Sequence, residues 1–499
     1  MSLTNHELMI SVDGFETRAA VLEDRELVEI YLERREAPSI VGNIYLGRVK
    51  DILPGMQAAF VDIGIERNAF LYVEEVIFPR TSESEAIPPI QYLLKPGQDI
   101  LIQVVKEPMD LKGARVTMQV TLPGRYLVLL PYSDFIGTSR RLPEEERQRL
   151  KEICEKIKPR GKGLIVRTAA EGTSFDDLRA DVKRLLLYWR KINREVRQSN
   201  PVKLIYQEPQ LALRIVRDLF SSDFRRLVVD SEPDYHTIVE FLESTDPELV
   251  KKVELYSERL PLFDKYNINQ DIENATKRKV WLRSGGYISI DHTEALTAID
   301  VNTGKYVGKT TLEQTIFKTN LEAAVEIVRQ LRLRDIGGII VIDFIDMQEP
   351  ANREEVSRVL LESLASDRTK NRVIEISKLG LVEMTRKNVS QGLLEFQAET
   401  CPCCHGLGVV LSDATVGIQN YRQMKKVAAT HISESFIFRI NPRGKAFLEQ
   451  KGKLMNNVLD LGWGKRAYLV YDDAVPVSKP EMVEEGTEAQ IEQSISNFY

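Results

Sequence analysis

Two apolar runs in this 499-residue chain end in aspartate: Leu296-Thr-Ala-Ile-Asp300-Val-Asn302 and Ile340-Val-Ile-Asp343-Phe-Ile-Asp346. An apolar strand that terminates in Asp places a carboxylate at the carboxyl edge of a sheet, where α/β folds gather their sites. Two such carboxylates on neighbouring strands can hold a hard divalent cation. Mg²⁺ suits this role, because it takes one or two carboxylates and completes its shell with waters and phosphate oxygens. Bound there, it activates water and stabilises charge on a phosphodiester. Asn302, two residues past Asp300, falls on the same face of the strand and can orient Asp300 or a phosphate oxygen. Spacing alone leaves a plainer role open, that of strand-end aspartates in turns or helix caps. It also leaves Asp346 as a rival to Asp343.

A second cluster is Glu399-Thr-Cys401-Pro-Cys403-Cys404-His405-Gly406-Leu-Gly408, which holds three of the four cysteines. Cys401 and Cys404 form a C-x-x-C pair that can grip one Zn²⁺, with the glycines permitting a tight turn. Zinc wants four ligands, and the chain has no second C-x-x-C. Either Cys403 and His405 complete a local site, or a second copy of the chain supplies the other pair. The second solution predicts a zinc-joined oligomer. A redox role is the alternative, although the motif does not open a helix after a strand as a thioredoxin-type site does. Cys154, on a predicted helix, is expected to be a buried apolar residue.

Basic and aromatic residues interleave near the N-terminus: Tyr45, Arg48, Lys50, Phe60, Arg67, Phe70, Tyr72, Lys106 and Lys112. Exposed aromatics stack on unpaired bases, and neighbouring cations neutralise phosphates. Phe60, between Ala59 and Val61, is expected in the core, Tyr45 is open between core and surface, and Phe70 is the better stacking candidate. Further basic patches are Ser139-Arg140-Arg141, Arg167-Thr168 and Lys277-Arg278-Lys279. In the second of these, a guanidinium and a hydroxyl can clamp a terminal phosphate. Any one patch alone is usually a solvated face.

These residues must be positioned by ordinary globular elements. Hydrophobic residues make up 43% and charged residues 28%, which excludes a mainly disordered or collagen-like chain. The net charge of −6 excludes nucleic-acid binding by bulk charge. No run of apolar residues is long enough to span a bilayer. The start shows no basic segment followed by an apolar one, so no signal peptide is expected. With so few cysteines, a reducing, cytoplasmic location follows. Residues 7–36 read as a meander of short strands turning at Asp13-Gly14, and residues 39–106 as about five strands of an OB-type barrel. Residues 77–94 read as a loop. Helices are expected at 144–158 and 174–198, with a strand near 163–168, and two short helices at 236–258. From 279 to 347 come three strands, a helix at 310–335 opened by a Thr310-x-x-Glu313 capping box, and a β-branched strand at 338–344 that reads as buried on both faces. A helix at 351–367 and a strand at 372–377 follow. The tail from 413 is α+β, and its acidic end, 482–493, reads as disordered.

The runs GNIYLGRV…AAFVDIG…AFL (42–71), DHTEALTAIDVN (291–302), NLEAAVEIVRQLRLRDIGGIIVIDFIDM (320–347) and CPCCHGLG together resemble the ribonuclease E/G family. The likeness runs from about residue 8 to past residue 450. It implies an endoribonuclease that cuts single-stranded, AU-rich RNA with Mg²⁺ and leaves a 5′-phosphate downstream. Its metal-holding aspartates fall on Asp300 and Asp343, with Asn302 in support and Asp346 as second choice. Its zinc pair, shared between protomers, falls on Cys401 and Cys404, with Cys403 standing where the family usually has no cysteine. The pocket that senses a 5′-monophosphate falls on Gly124, Val128, Arg167 and Thr168, with Arg140 nearby. Phe70 and Lys112 become the RNA contacts of an S1-type barrel.

The resemblance also implies a multidomain α/β and α+β fold. An RNase H-like part would be built from residues 1–38 and 211–275, with the S1-type OB barrel (39–122) and the 5′-sensor region (123–210) inserted between them. A DNase I-like catalytic domain (276–397), a zinc link (398–412) and a small dimerisation domain (413–499) would follow. A homodimer is expected, with a tetramer left open. The length points to the shorter, G-type branch, active in 16S rRNA 5′-end maturation and mRNA decay, with a short E-type enzyme as the alternative. Two rivals are a non-catalytic RNA-binding ribosome-assembly factor and a zinc-bridged scaffold. The intact Asp300, Asn302 and Asp343 argue against the first, and the second leaves those carboxylates without a purpose.

Overall fold

The computed structural model describes residues 5–78, 87–108, 112–304, 312–376, 381–387, 392–450, 454–496 and 498. It divides into two compact units, Met1–Gln397 and Ala398–Tyr499. Among the described residues no helix is long and apolar enough to cross a membrane.

The N-terminal meander forms as its alternation predicts, with antiparallel strands His6–Val12, Glu16–Glu23 and Glu26–Arg34. The meander does not close on itself. His6–Val12 also pairs in parallel with Phe224–Val229, which pairs in turn with Val253–Leu255. Two segments about 200 residues apart in sequence therefore share one sheet and one core, where Leu8, Ile10 and Val21 meet Val216, Phe220 and Leu227. The second segment is less helical than its composition suggests: 236–258 holds the end of helix Glu232–Thr245, one turn at Pro247–Val250 and a strand.

Between them lies a closed barrel of five strands: Ile44–Leu53, Ala58–Asp62, Ala69–Tyr72, Arg115–Thr117 and Asp99–Lys106, which returns to the first. Lys203–Tyr206 adds to it from outside. The barrel is filled by Val49, Ala59, Val61, Leu71, Ile102 and Val116, and Tyr45 also lies in its core. A small sheet follows, in the order Ile136–Thr138, Gly163–Val166, Leu127–Leu130, Leu122–Pro123. Helices Glu144–Ile157 and Phe175–Gln198 pack on it, and the second is opened by a Ser174/Asp177 capping box.

The next sheet runs Lys279–Trp281, Tyr287–His292, Thr297–Asn302, Gly338–Asp343, Leu381–Arg386, Asn371–Ile376. Only Thr297–Asn302 and Gly338–Asp343 are parallel, joined by a crossover that contains helix Leu312–Leu333. Thr310, and with it the expected capping box, lies outside the described residues. The Gly338–Asp343 strand is not buried on both faces. Ile340 and Ile342 are inaccessible while Ile339 is 52% exposed. The reason is that helices Leu312–Leu333 and Pro350–Ala365 pack on one face, through Ala323, Ile327, Leu331, Val356 and Leu360. On the other face Ile339 and Asp343 are exposed and Val341 is half-buried.

The second unit carries helix Asp413–Thr430 against a five-stranded sheet. Its acidic end is ordered, contrary to the composition. Glu481–Gly486 pairs with Ser435–Ile440, and helix Glu488–Ile495 buries Ile491 under a Thr487/Gln490 capping box. Strand pairing, an apolar anchor and a cap together hold a segment that net charge alone would leave loose.

Candidate active site and RNA-contact surfaces

The two aspartate-terminated strands are neighbours, and their register sets Asp300 directly beside Asp343. Because the pair is parallel, both carboxylates emerge at the same carboxyl edge. A cavity of about 300 Å³ opens there, lined by residues 300–303 and 343–346. Asp346, the rival candidate, lines the same cavity from the following loop. Asn302 donates from Nδ2 to Asp300 Oδ2 at 2.6 Å, which fixes the carboxylate plane. Burial, together with the Asp300 and Asp346 charges, pushes the Asp343 carboxyl above its ordinary value. A carboxyl pressed upward by neighbouring acids is a poor structural device and a good cation trap, since a cation relieves the repulsion.

The residues present fit Mg²⁺. The donors are oxygens, two carboxylates converge from rigid strands, and among the described residues no third His, Cys, Asp or Glu completes a closed site. Mg²⁺ needs no more protein than that, because it keeps waters and takes substrate oxygens.

The knuckle forms a tight turn. Cys401 and Cys403 are exposed, and Cys404 is partly so. The Cys401 carbonyl accepts from the His405 N–H at 2.8 Å, and His405 and Gly406 take positive φ values of 49° and 85°. The backbone N–H groups of Cys404 and Cys403 hold the Cys401 thiol below its usual range, the direction a metal thiolate requires. Within one chain these residues do not assemble three converging ligands. Cys154 is fully buried, and burial pushes its thiol up to about 12.

Gly124, Arg167 and Thr168 come together. Arg167 Nη1 donates to the Gly124 carbonyl at 2.7 Å, and its other nitrogen meets Asp218 at 2.7 Å. Thr168 is exposed, and its hydroxyl shares a 2.9 Å hydrogen bond with Ser139. Val128 sits in the same sheet opposite Ile165, and Arg140 is exposed beside Ser139. Gly124 is required by its neighbour, because a Cβ there would lie 2.6 Å from the buried Asp181 carboxylate. That carboxylate accepts from the N–H groups of Tyr126 and Leu127, both at 3.0 Å, and so shapes the turn. Asp181 was legible as a charge on the Leu178–Val182–Leu185 face of its helix. Asp218, 51 positions from Arg167, carried no such signal.

On the barrel, Phe70 packs edge-on between Phe60 (5.6 Å between centroids) and Tyr72 (4.6 Å). Phe60 is half-buried and belongs to this outer stripe rather than the core, because Ala59 and Val61 on either side take the inward positions. Arg115, which the sequence pattern did not single out, lies 4.7 Å over Tyr72. Lys112 is exposed at the start of the segment that bonds Phe70 through the Ala114 carbonyl. Arg48 and Lys50 are less available than the sequence suggests, being paired with Asp99 (2.8 Å) and Asp62 (3.1 Å).

Residues 121–389 match the model of the Ribonuclease E/G family. The chain is 42% identical over 444 residues to Ribonuclease G of Salmonella typhimurium (strain SL1344), covering 87% of this chain and 91% of that protein. The chain belongs to the ribonuclease E/G family. It is also 43% identical over 450 residues to Ribonuclease G of Haemophilus influenzae, covering 89% of this chain and 91% of that one. Ribonuclease E of Nostoc sp. is 40% identical over 395 residues, which is 78% of this chain but 57% of the longer relative. Asp300, Asn302 and Asp343, and the Gly124–Arg167–Thr168 cluster, all lie within the residues that the family model matches.

Proposed function

We propose that this family member is a Mg²⁺-dependent endoribonuclease that cuts single-stranded, AU-rich RNA and leaves a 5′-phosphate on the downstream product. The observation that carries the reading is the side-by-side register of Asp300 and Asp343 at the open edge of a one-sided sheet. Asp300 and Asp343 would hold the ion, which when bound supplies water activation and charge neutralisation on the phosphodiester. Asn302 holds Asp300 in one orientation, so the carboxylate need not reorganise as charge develops. The open sheet face leaves room for an extended strand of RNA across these carboxylates.

Gly124, Val128, Arg140, Arg167 and Thr168 form the 5′-monophosphate sensor in this reading. Asp218 holds the Arg167 guanidinium in place, and the Thr168 hydroxyl stands beside it as a second donor. Phe70 and Lys112 supply stacking and charge on the barrel, with Phe60, Tyr72 and Arg115 extending the stripe. Cys401 and Cys404 of two protomers share a structural Zn²⁺ and join a homodimer. The seven segments bounded at 38, 122, 210, 275, 397 and 412 serve as the RNase H-like, S1-type barrel, sensor, DNase I-like, zinc-link and dimerisation parts. The cellular roles are 16S rRNA 5′-end maturation and mRNA decay in the cytoplasm. The test is a short AU-rich RNA with a 5′-monophosphate or a 5′-hydroxyl, incubated with Mg²⁺ or with EDTA. Cutting that needs Mg²⁺ and runs faster on the monophosphate supports the reading, and cutting that persists in EDTA overturns it.

A further inference from the structure

Two strands away from the carboxylates, the open face of the same sheet carries an aromatic cluster that the proposed chemistry leaves unused. Trp281 is the register partner of Tyr287, and Tyr287 is the partner of Asn302. In the adjoining row, Lys279 faces Ser289, Ser289 faces Asp300, and Asp300 faces Asp343. Directly opposed residues share a face of a sheet. Trp281, Tyr287 and Lys279 therefore stand on the same side as Asp300, Asn302 and Asp343. The alternate residues Val280, Ile288, Ile290, Ile299 and Val301 turn to the core.

The cluster is built rather than incidental. Trp281 is 58% exposed, with its ring 5.4 Å from that of Tyr287 at an interplanar angle of 63°. The Lys279 ammonium lies 3.5 Å from the Tyr287 centroid and 4.9 Å from the Trp281 centroid. The neighbouring cations are spoken for: Arg278 pairs with Asp291, Lys277 with Glu273 and Arg283 with Glu26. Among the described residues Lys279 has no carboxylate partner. The exposed indole presents a flat aromatic face beside Tyr287, and a lysine held over both rings keeps a positive charge next to it.

We propose that Trp281, buttressed by Tyr287, is a base-stacking platform for the single-stranded RNA substrate, with Lys279 neutralising the flanking phosphate. The proposal rests on the endoribonuclease reading above and adds a substrate subsite to it. The occupant follows from chemistry and place. Exposed aromatics beside an uncompensated cation are how single-stranded nucleic acid is held without sequence readout. The platform is continuous with the carboxylate edge, at two strand spacings or ~10 Å. An extended single strand stacked there reaches the bond at Asp300 and Asp343 within a few nucleotides.

Trp281→Ala is expected to raise KM for a single-stranded substrate roughly 5- to 100-fold, with kcat little changed, and Trp281→Phe to restore most of the loss. A second readout needs no cleavage. In an Asp300→Asn, Trp463→Phe background, binding of a ten-nucleotide AU-rich RNA quenches tryptophan fluorescence, and Trp281→Phe removes the quench, since the remaining Trp189 is buried. An abasic nucleotide placed at the platform weakens binding to the parent chain but not to Trp281→Ala. Unchanged KM in Trp281→Ala together with full quenching in Trp281→Phe overturns the platform. An uncut RNA with the wild-type chain instead overturns the parent reading, and the quench then still decides whether Trp281 stacks on RNA.

Discussion

Arg386 offers the sharpest test of how the sheet that carries Asp300 and Asp343 is held. Its guanidinium is 3% exposed and uses all five N–H groups. Nε and Nη2 meet the Asp367 carboxylate at 2.8 and 3.3 Å, Nη1 meets Asp335 at 2.7 Å and the Ile336 carbonyl at 3.0 Å, and Nη2 also reaches Thr369 Oγ1 at 3.1 Å. One side chain thus ties the last strand residue of Leu381–Arg386 to the loops on either side. Arg386→Met keeps the apolar stem but leaves Asp367, itself 2% exposed, without its cation. Breaking a buried pair from one side costs roughly 3–5 kcal/mol. The lower end applies here, because the Thr369 N–H still donates to Asp367 at 2.9 Å. The expected loss is therefore about 3 kcal/mol, in the urea transition of the Met1–Gln397 unit and not in that of the second unit. Asp367→Asn in the Arg386→Met background removes the orphaned charge and recovers more than ~1 kcal/mol. Arg386 faces Gly338, at the opposite end of the strand pair from Asp343, so cleavage by the still-folded variant changes little. A loss below ~1 kcal/mol, or a double variant no better than the single one, refutes the argument.

Gly124→Ala drives a methyl toward the Asp181 carboxylate and should lower the preference for 5′-monophosphate over 5′-hydroxyl RNA, read as the ratio of kcat/KM values. Phe70→Ala removes the centre of the aromatic stripe and should weaken RNA binding by about 1–3 kcal/mol in a fluorescence anisotropy titration. Cys401→Ser combined with Cys404→Ser should halve the mass seen by light scattering and remove zinc from metal analysis; unchanged mass contradicts a shared zinc. After metal is stripped, a thiol reagent at pH 8 should titrate three cysteines quickly and reach Cys154 only on unfolding, since that thiol is fully buried and burial raises its pKa.

The carboxylate pair was the most legible part of the chain. An apolar run ending in Asp is a local pattern legible in each strand, while the adjacency and register of the two strands came only with the structure. The barrel and the meander were legible for the same reason, since alternation of period two is written within each strand. What was hidden is mostly long-range. Pairing of His6–Val12 with Phe224–Val229 leaves no mark in either segment's own pattern, and only the family resemblance put 1–38 and 211–275 in one part. The Gly338–Asp343 strand looked doubly buried because Ile and Val run without a break, yet only the position of two helices decides how many faces they cover. Phe60 was misplaced by its apolar neighbours, which alternate inward around it. The acidic tail was misjudged on charge, when Ile491 and its cap hold it. The Leu381–Arg386 strand was not foreseen, although it completes the sheet between Gly338–Asp343 and Asn371–Ile376.

The most direct test of the central claim is cleavage of one 5′-monophosphorylated single-stranded RNA in Mg²⁺ by the wild-type chain, Asp300→Asn and Asp343→Asn, with RNA binding measured on the same preparations. Loss of cutting in both variants with binding retained is the predicted result. Cutting at the wild-type rate by either variant would contradict it.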